Sequence, residues 1–303
     1  HDALPIWVTV PASAVMPLER QAIDPLCPDF SVPIPADALI TVTEEGFLLE
    51  NSYLRFFVNR QGQIVSLTDL ENARPLLQEG QVMNDWRLYR NVQSVYDSWE
   101  LDQDWETRRI PDAFETKVSM KLNIPQVCEL EIRRAFSHST SVQILRLYAH
   151  SRRIDFETKI DWQERHRMLK VHFESNIHCE NTIHEIQFGH IARPAHRSGA
   201  FASDRYEVCQ QRWSALCEEN RGFALLNDGI FALSSDRGQL ALTLLRAPLV
   251  PAEFNNRGSH QMTYSLYPFA QPLTESGVVQ AGYELNAPLR LIPCAVEAQK
   301  RSS

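Results

Sequence analysis

From residue 47 onward, apolar and polar positions alternate in short runs divided by turn-forming residues. Ile154, Phe156, Thr158, Ile160 and Trp162 fall on one parity, and Asp155, Glu157, Lys159 and Asp161 on the other. A period of two marks a strand whose faces meet different surroundings. After the polar stretch Glu164 to Arg167, the alternation resumes at Leu169, Val171 and Phe173, which predicts a hairpin. An earlier hairpin is predicted from extended segments at Phe47 to Glu50 and Tyr53 to Asn59, a turn at Gln61-Gly62-Gln63 and a return strand over Ile64 to Asp69. Gly62 suits that turn because glycine takes positive φ without a steric penalty. Two further strands flank Ser137 to Ser141, and GFALLND, LALTLLRAP, HQMTYSLYPF and PLRLIP predict four more. No long helical pattern occurs, and Arg212 to Asn220 is the best short helical candidate. Many short strands at near-regular spacing predict an all-β protein, a sandwich or a barrel.

The first forty residues break the pattern. Prolines 5, 11, 17, 25, 28, 33 and 35 predict an extended linker, with one strand at Ile6 to Val10. The predicted organisation is therefore a proline-rich linker with a first strand over 1–40 and one sandwich over 41–303, its core running from Thr41 to Ala295. The opening on a strand-like segment without methionine suggests a piece of a longer protein. A chain of 303 residues has room for a full core and needs no metal or disulfide staple. A net charge of -8 argues against broad nucleic-acid binding, which asks for a basic face. No apolar run is long enough for a membrane span, and His1 to Pro11 lack the order of a signal peptide. Cys27, Cys128, Cys179, Cys209, Cys217 and Cys294 fit neither a zinc ribbon nor a compact disulfide framework. Free thiols in a reducing compartment are the expectation, and with them a cytoplasmic location.

Seven segments, in order, carry a resemblance: LENSYLRFFVNRQGQIVSLTDLENARPLL, VYDSWELDQDW, RIDFETKIDWQERHRMLKVHF, FGHIARPAHR, RYEVCQQRWSALCEENRGFALLND, LTLLRAP and RGSHQMTYSLYPF. Together, over roughly residues 47 to 290, they resemble the carboxy-terminal domain of bacterial-type glycoside hydrolase family 38 α-mannosidases. Two departures stand out: YDSW where the family has W-D-A-W, and Gly229-Ile230-Phe231 where it commonly has K-Y-G. The resemblance implies a large antiparallel supersandwich like that of galactose mutarotase. It also implies a parent enzyme that is zinc-dependent and retaining and hydrolyses terminal α-mannosyl bonds. In such a parent, an amino-terminal catalytic barrel carries the aspartate nucleophile and most of the zinc site, and a helical middle domain supplies another ligand. Those two domains and the mannoside are the implied partners. No alternation of strands and helices here predicts a barrel, so no catalytic residue is assigned to this chain and zinc is expected only in the parent. A stand-alone carbohydrate-binding module and a mutarotase-like epimerase are the alternatives.

His1-Asp2-Ala3 resembles the family's zinc motif, but Leu4-Pro5-Ile6 continues it as a strand pattern instead of a helix, and a terminal remnant is the expectation. Histidines 166, 172, 178, 184, 190 and 196 recur every six residues, yet no local carboxylate or cysteine completes a ligand set, so surface or hydrogen-bonded imidazoles are expected. Tyr96, Asp97, Trp99 and Asp102 are the candidate sugar contacts or domain-interface residues. Aromatic rings stack on sugar faces and carboxylates accept sugar hydroxyls. As a strand, the segment would put Asp97 and Trp99 on one face, at the edge of the sandwich and exposed. An edge loop or domain interface is the plainer reading. Arg212, beside Trp213, is the second candidate, with a structural ion pair as its plainer reading.

Overall fold

The computed structural model describes residues 37–92, 96–250 and 256–288. The strands expected at Ile6 to Val10 and over 288–293, and the His1-Asp2-Ala3 motif, lie outside the described residues. What is described forms two antiparallel sheets packed face to face. The first runs Leu39–Val42, Gly46–Glu50, Leu54–Asn59, Ile64–Asp69, Met83–Arg90, Arg167–Glu174, Gln239–Arg246, Ala232–Asp236 and Val208–Cys209. The second runs Gly189–Pro194, Asn181–Ile186, Trp213–Glu218, Arg221–Asn227, Gly258–Phe269, Ile154–Trp162, Ser139–Tyr148, Val127–Phe136 and Glu115–Ile124. This is the antiparallel supersandwich that the resemblance implies, and it agrees with the all-β reading of the alternating pattern. The strand Leu39–Val42 straddles the expected boundary between linker and sandwich.

The opening hairpin forms as read, with Gly62 at φ +75° between Leu54–Asn59 and Ile64–Asp69. The second expected hairpin does not. Ile154–Trp162 pairs with Ser139–Tyr148 and Gly258–Phe269, whereas Arg167–Glu174 pairs with Met83–Arg90 and Gln239–Arg246. The connection is an arch from one sheet to the other. Glu164, buried at its base, accepts hydrogen bonds from His138 N at 3.0 Å and Ser139 Oγ at 2.8 Å, and His166 turns the chain at φ +50°. Alternation reads identically in a hairpin and an arch, because both keep one apolar face per strand.

Between the sheets lies one continuous apolar core that includes Phe56, Leu67, Phe156, Trp162, Val171, Phe173, Leu225, Leu242 and Leu266. A polar knot sits inside it. Tyr264 Oη accepts from Trp86 Nε1 at 3.1 Å and Gln143 Nε2 at 2.6 Å and donates to Asn84 Oδ1 at 3.0 Å. Burial raises the Tyr264 phenol to about 12, so it remains a donor. Two segments cover part of the outer faces. The helix Val278–Asn286 lies against Trp213, Ala215, Ala224, Leu226 and Phe269 of the second sheet. No helix was expected there, and Arg212 to Asn220, the helical candidate, is instead the strand Trp213–Glu218. Its apolar positions serve two packed faces, which erases the alternation that identifies a strand. The segment 96–108 covers part of the outer face of the first sheet.

Candidate functional site

That segment is held at several points. Tyr96 to Trp99 form a tight turn, with Trp99 N and Glu100 N both donating to Tyr96 O, at 3.1 and 2.9 Å. Asp97 is only 4% exposed, which corrects the expectation of an outward residue on a strand face. Its carboxylate accepts the N–H of Leu249 at 3.0 Å and of Val250 at 2.6 Å, and faces His166 Nδ1 at 3.2 Å. A buried carboxylate needs such donors, and a loop with free N–H groups supplies them. Arg246 Nη2 donates to the carbonyls of Asp97 and Glu100 and to Asn91 Oδ1. Tyr206 Oη donates to the carbonyl of Leu101.

Trp105 forms the buried side. It is 1% exposed and meets Tyr89 edge to face at 4.9 Å. The Lys170 ammonium lies 4.5 Å from its ring centre. Lys170 is fully buried, and Nζ donates to Glu207 Oε2, Ser234 Oγ and Thr243 Oγ1 at 2.5, 3.0 and 2.6 Å. Burial pulls the ammonium below the ordinary lysine value, and the Glu207 charge opposes this. On the same face of the sheet, His172 Nδ1 faces the donors Gln239 Nε2 and Arg87 Nη1, which assigns its proton to Nε2, donating to Tyr89 Oη at 3.0 Å. Desolvation, reinforced by Arg87, Lys170 and Arg109, holds His172 well below the usual imidazole range.

The other side of the segment faces water. Trp99 is 69% exposed, its ring centre 5.1 Å from that of Tyr96, which is also exposed. Trp99, Glu100, Leu101, Asp102, Gln103, Asp104, Arg108 and Tyr206 line an open depression of about 730 Å³. Arg108 Nη2 bridges Asp102 at 2.8 Å and Asp104 at 2.7 Å. The structure thus brings Tyr96, Trp99 and Asp102 to one exposed surface and turns Asp97 inward beneath it.

Arg212 does not line that depression. It is bound to Glu185, with Nη2 donating to Oε1 and its own N–H to Oε2 at 2.7 Å, and it lies 3.6 Å from the Tyr283 ring centre. The Glu185 hydrogen bond raises the Arg212 guanidinium further above its ordinary value. The structural ion pair named as its plainer reading is present. Lys170, Glu207, Tyr206 and Arg246 were not singled out in the sequence, although each lies in a segment that carries the resemblance. A lysine one residue before Val171 reads as solvent-facing until a cover over that face is known. The described histidines do not form a metal site: among the described residues no group of three or more His, Cys, Asp or Glu is placed to hold an ion. His184, buried, has Nδ1 2.9 Å from Ser214 Oγ and is pushed down to about 3 by desolvation and Arg193.

A double-sheet antiparallel sandwich, each outer face partly covered by a separate segment, with an exposed aromatic pair beside an acid-lined depression, defines the class as a β-supersandwich. The model of the glycosyl hydrolases family 38 C-terminal domain matches residues 49–254. The chain belongs to that family. It is 30% identical over 299 residues to alpha-mannosidase 2C1 of Homo sapiens, covering 97% of this chain and 28% of that protein. It is 33% identical over 246 residues to alpha-mannosidase G of Dictyostelium discoideum, covering 79% of this chain and 22% of that protein. The chain therefore spans less than a third of the curated relatives it matches. The solved structure of an alpha-mannosidase from Enterococcus faecalis V583 superposes with a TM-score of 0.66 at 14% identity, over 80% of this chain and 31% of that one. That likeness supports the same fold.

Proposed function

We propose that this chain is the non-catalytic carboxy-terminal part of a zinc-dependent, retaining α-mannosidase that hydrolyses terminal α-mannosyl bonds, and that its Trp99 surface walls the substrate cleft or docks the catalytic barrel. The family match supports the parent enzyme, and the observation that carries the role of the surface is the Trp99 and Tyr96 pair, left in water on a segment that is otherwise pinned. An exposed aromatic pair beside carboxylates suits a pyranose ring, whose C–H face stacks on indole and whose hydroxyls donate to carboxylates. It suits a polar domain interface as well. The acids of the depression do not resemble a hydrolytic pair. Retaining hydrolysis needs one carboxylate free to attack and one able to donate a proton, whereas Asp102 and Asp104 are both tied to Arg108, which leaves Glu100 as the third acid of the depression. The described residues do not fit a zinc ion, so the zinc and the nucleophile of this proposal belong to the barrel and helical middle domains of the longer protein. No helix among the described residues is long and apolar enough to cross a membrane. Free Cys128, Cys179, Cys209 and Cys217 support a cytoplasmic location.

The test compares the chain with its full-length parent, each purified from a host lacking its own mannosidase. The parent releases nitrophenol from an aryl α-mannoside and loses this on chelation; the isolated chain, with zinc added, releases none. Chelator-sensitive turnover by the isolated chain contradicts the proposal. The same Trp99 depression also favours a carbohydrate-binding module. That reading gains if the isolated chain binds mannosides by calorimetry while Trp99→Ala leaves the parent's turnover unchanged.

A further inference from the structure

The first sheet has a gap. Along one edge, Met83–Arg90 pairs with Ile64 at Met83 and with Arg109–Ile110 at Leu88 and Tyr89, and residues 84–87 between them have no strand partner there. At that stretch, beside the Gly62 turn, lies a cavity of about 160 Å³ whose lining includes Gln61, Asp85, Arg109, Asp112, Thr116 and Arg134. Arg134 reaches it from the second sheet, at 3% exposure. Among the described residues it has two acceptors: Nη1 donates to Gln143 Oε1 at 3.1 Å, and Nη2 to Gly62 O at 3.5 Å. The rest of its N–H fork has no protein acceptor and no ion pair there. Of the two acids in the lining, Asp85 is taken by Gln63 Nε2 at 2.7 Å and Arg87 Nε at 2.5 Å, and Asp112 is exposed at the rim. The Trp86 ring, 4.4 Å from the guanidinium, offers only a cation–π contact. Burial lowers Arg134 to about 10, so it stays a cation at neutral pH.

A buried cation without an anion is costly, and removing it or supplying its partner relieves the cost. The fold keeps the cation, opens a cavity over it and sets a second arginine, the exposed Arg109, among the lining residues. We propose that this gap is a binding site for a small oxyanion, a carboxylate or phosphate group, held by the Arg134 fork from below and by Arg109 at the rim, with the Gln61 and Thr116 side chains as neutral donors. The planar fork matches a two-oxygen acceptor, which a chloride ion does not offer.

Titration calorimetry of the chain with sodium phosphate, and separately with sodium lactate, tests this against sodium chloride at matched ionic strength. One saturable site per chain is expected for phosphate or lactate and none for chloride, and which of the two binds identifies the oxyanion. Arg109→Ala, a substitution at an exposed residue, should weaken binding about tenfold or more, as loss of a charge-assisted contact does. Arg134→Met should abolish it. Should Arg134→Met not fold, Arg109→Ala alone decides. The proposal is overturned if neither anion binds saturably, or if Arg109→Ala binds as the parent sequence does.

Discussion

The two faces of the strand Arg167–Glu174 are equally dry but built from opposite materials. Inward, Leu169, Val171 and Phe173 meet the second sheet. Outward, Met168, Lys170 and His172 lie under Trp105 and Tyr89, and Lys170 is as inaccessible as Val171. The inner face holds by apolar contact, which tolerates any neighbour of the right volume. The outer face holds by matched donors and acceptors, which tolerates very little, because each buried polar group left without a partner costs free energy. The inward side of the segment 96–108 is thus part of the architecture, and its outward side is the part we propose for recognition.

The inner face gives the largest expected effect. Phe173 lies 5.9 Å from Phe156 and 6.1 Å from Tyr264, ring centre to ring centre. Phe173→Ala should cost about 3–5 kcal/mol in denaturant unfolding, the usual range for a buried aromatic. On the outer face, Lys170→Ala strands the Glu207 carboxylate and should cost about 3 kcal/mol. The double variant Lys170→Met, Glu207→Leu should recover much of that loss, because it removes both charges together. A loss as large in the double variant as in Lys170→Ala would show that the charged pair is not what holds this face.

Acid sharpens the same contrast. Burial keeps His172 and His184 neutral in the folded chain, whereas in the unfolded chain each protonates below about pH 6.5. The unfolded state then binds more protons, so stability is full above that pH and falls as pH drops below it. Each imidazole contributes a slope of up to about 1.4 kcal/mol per pH unit. Denaturant midpoints at pH 7 and pH 5 measure this, and His172→Gln should flatten the dependence. Equal midpoints at the two pH values would contradict the buried, neutral assignment.

Several strands with one wet face were legible in the sequence, although Glu115–Ile124, exposed along one side, was not among them. Ile154 to Trp162 and the Gly62 hairpin declare themselves by alternation and by a turn residue. Pairing was not legible there, since an arch and a hairpin share one pattern, and only the partners of each strand separate them. Trp213–Glu218 was missed because the helix Val278–Asn286 covers its second face. At the candidate site, the aromatics and acids from Tyr96 to Asp102 drew attention to the segment but did not show its two sides. Trp105 and Asp97 turn inward while Trp99 and Tyr96 turn outward, and that division depends on Lys170, Arg246 and the backbone of Leu249 and Val250, far away in sequence.

Under the proposed function, one turn separates an architectural residue, Asp97, from a recognition residue, Trp99, two positions away. Asp97→Ala and Trp99→Ala in the full-length parent test it, with thermal unfolding and aryl α-mannoside kinetics measured on both. Asp97→Ala should destabilise by about 2 kcal/mol, because it leaves the N–H groups at 249 and 250 without their charged acceptor. Trp99→Ala should change stability by less than about 0.5 kcal/mol, as surface substitutions do, yet lower kcat/KM for the mannoside or loosen docking of the barrel. Unchanged kinetics and domain association in Trp99→Ala, with the parent folded, would contradict the account.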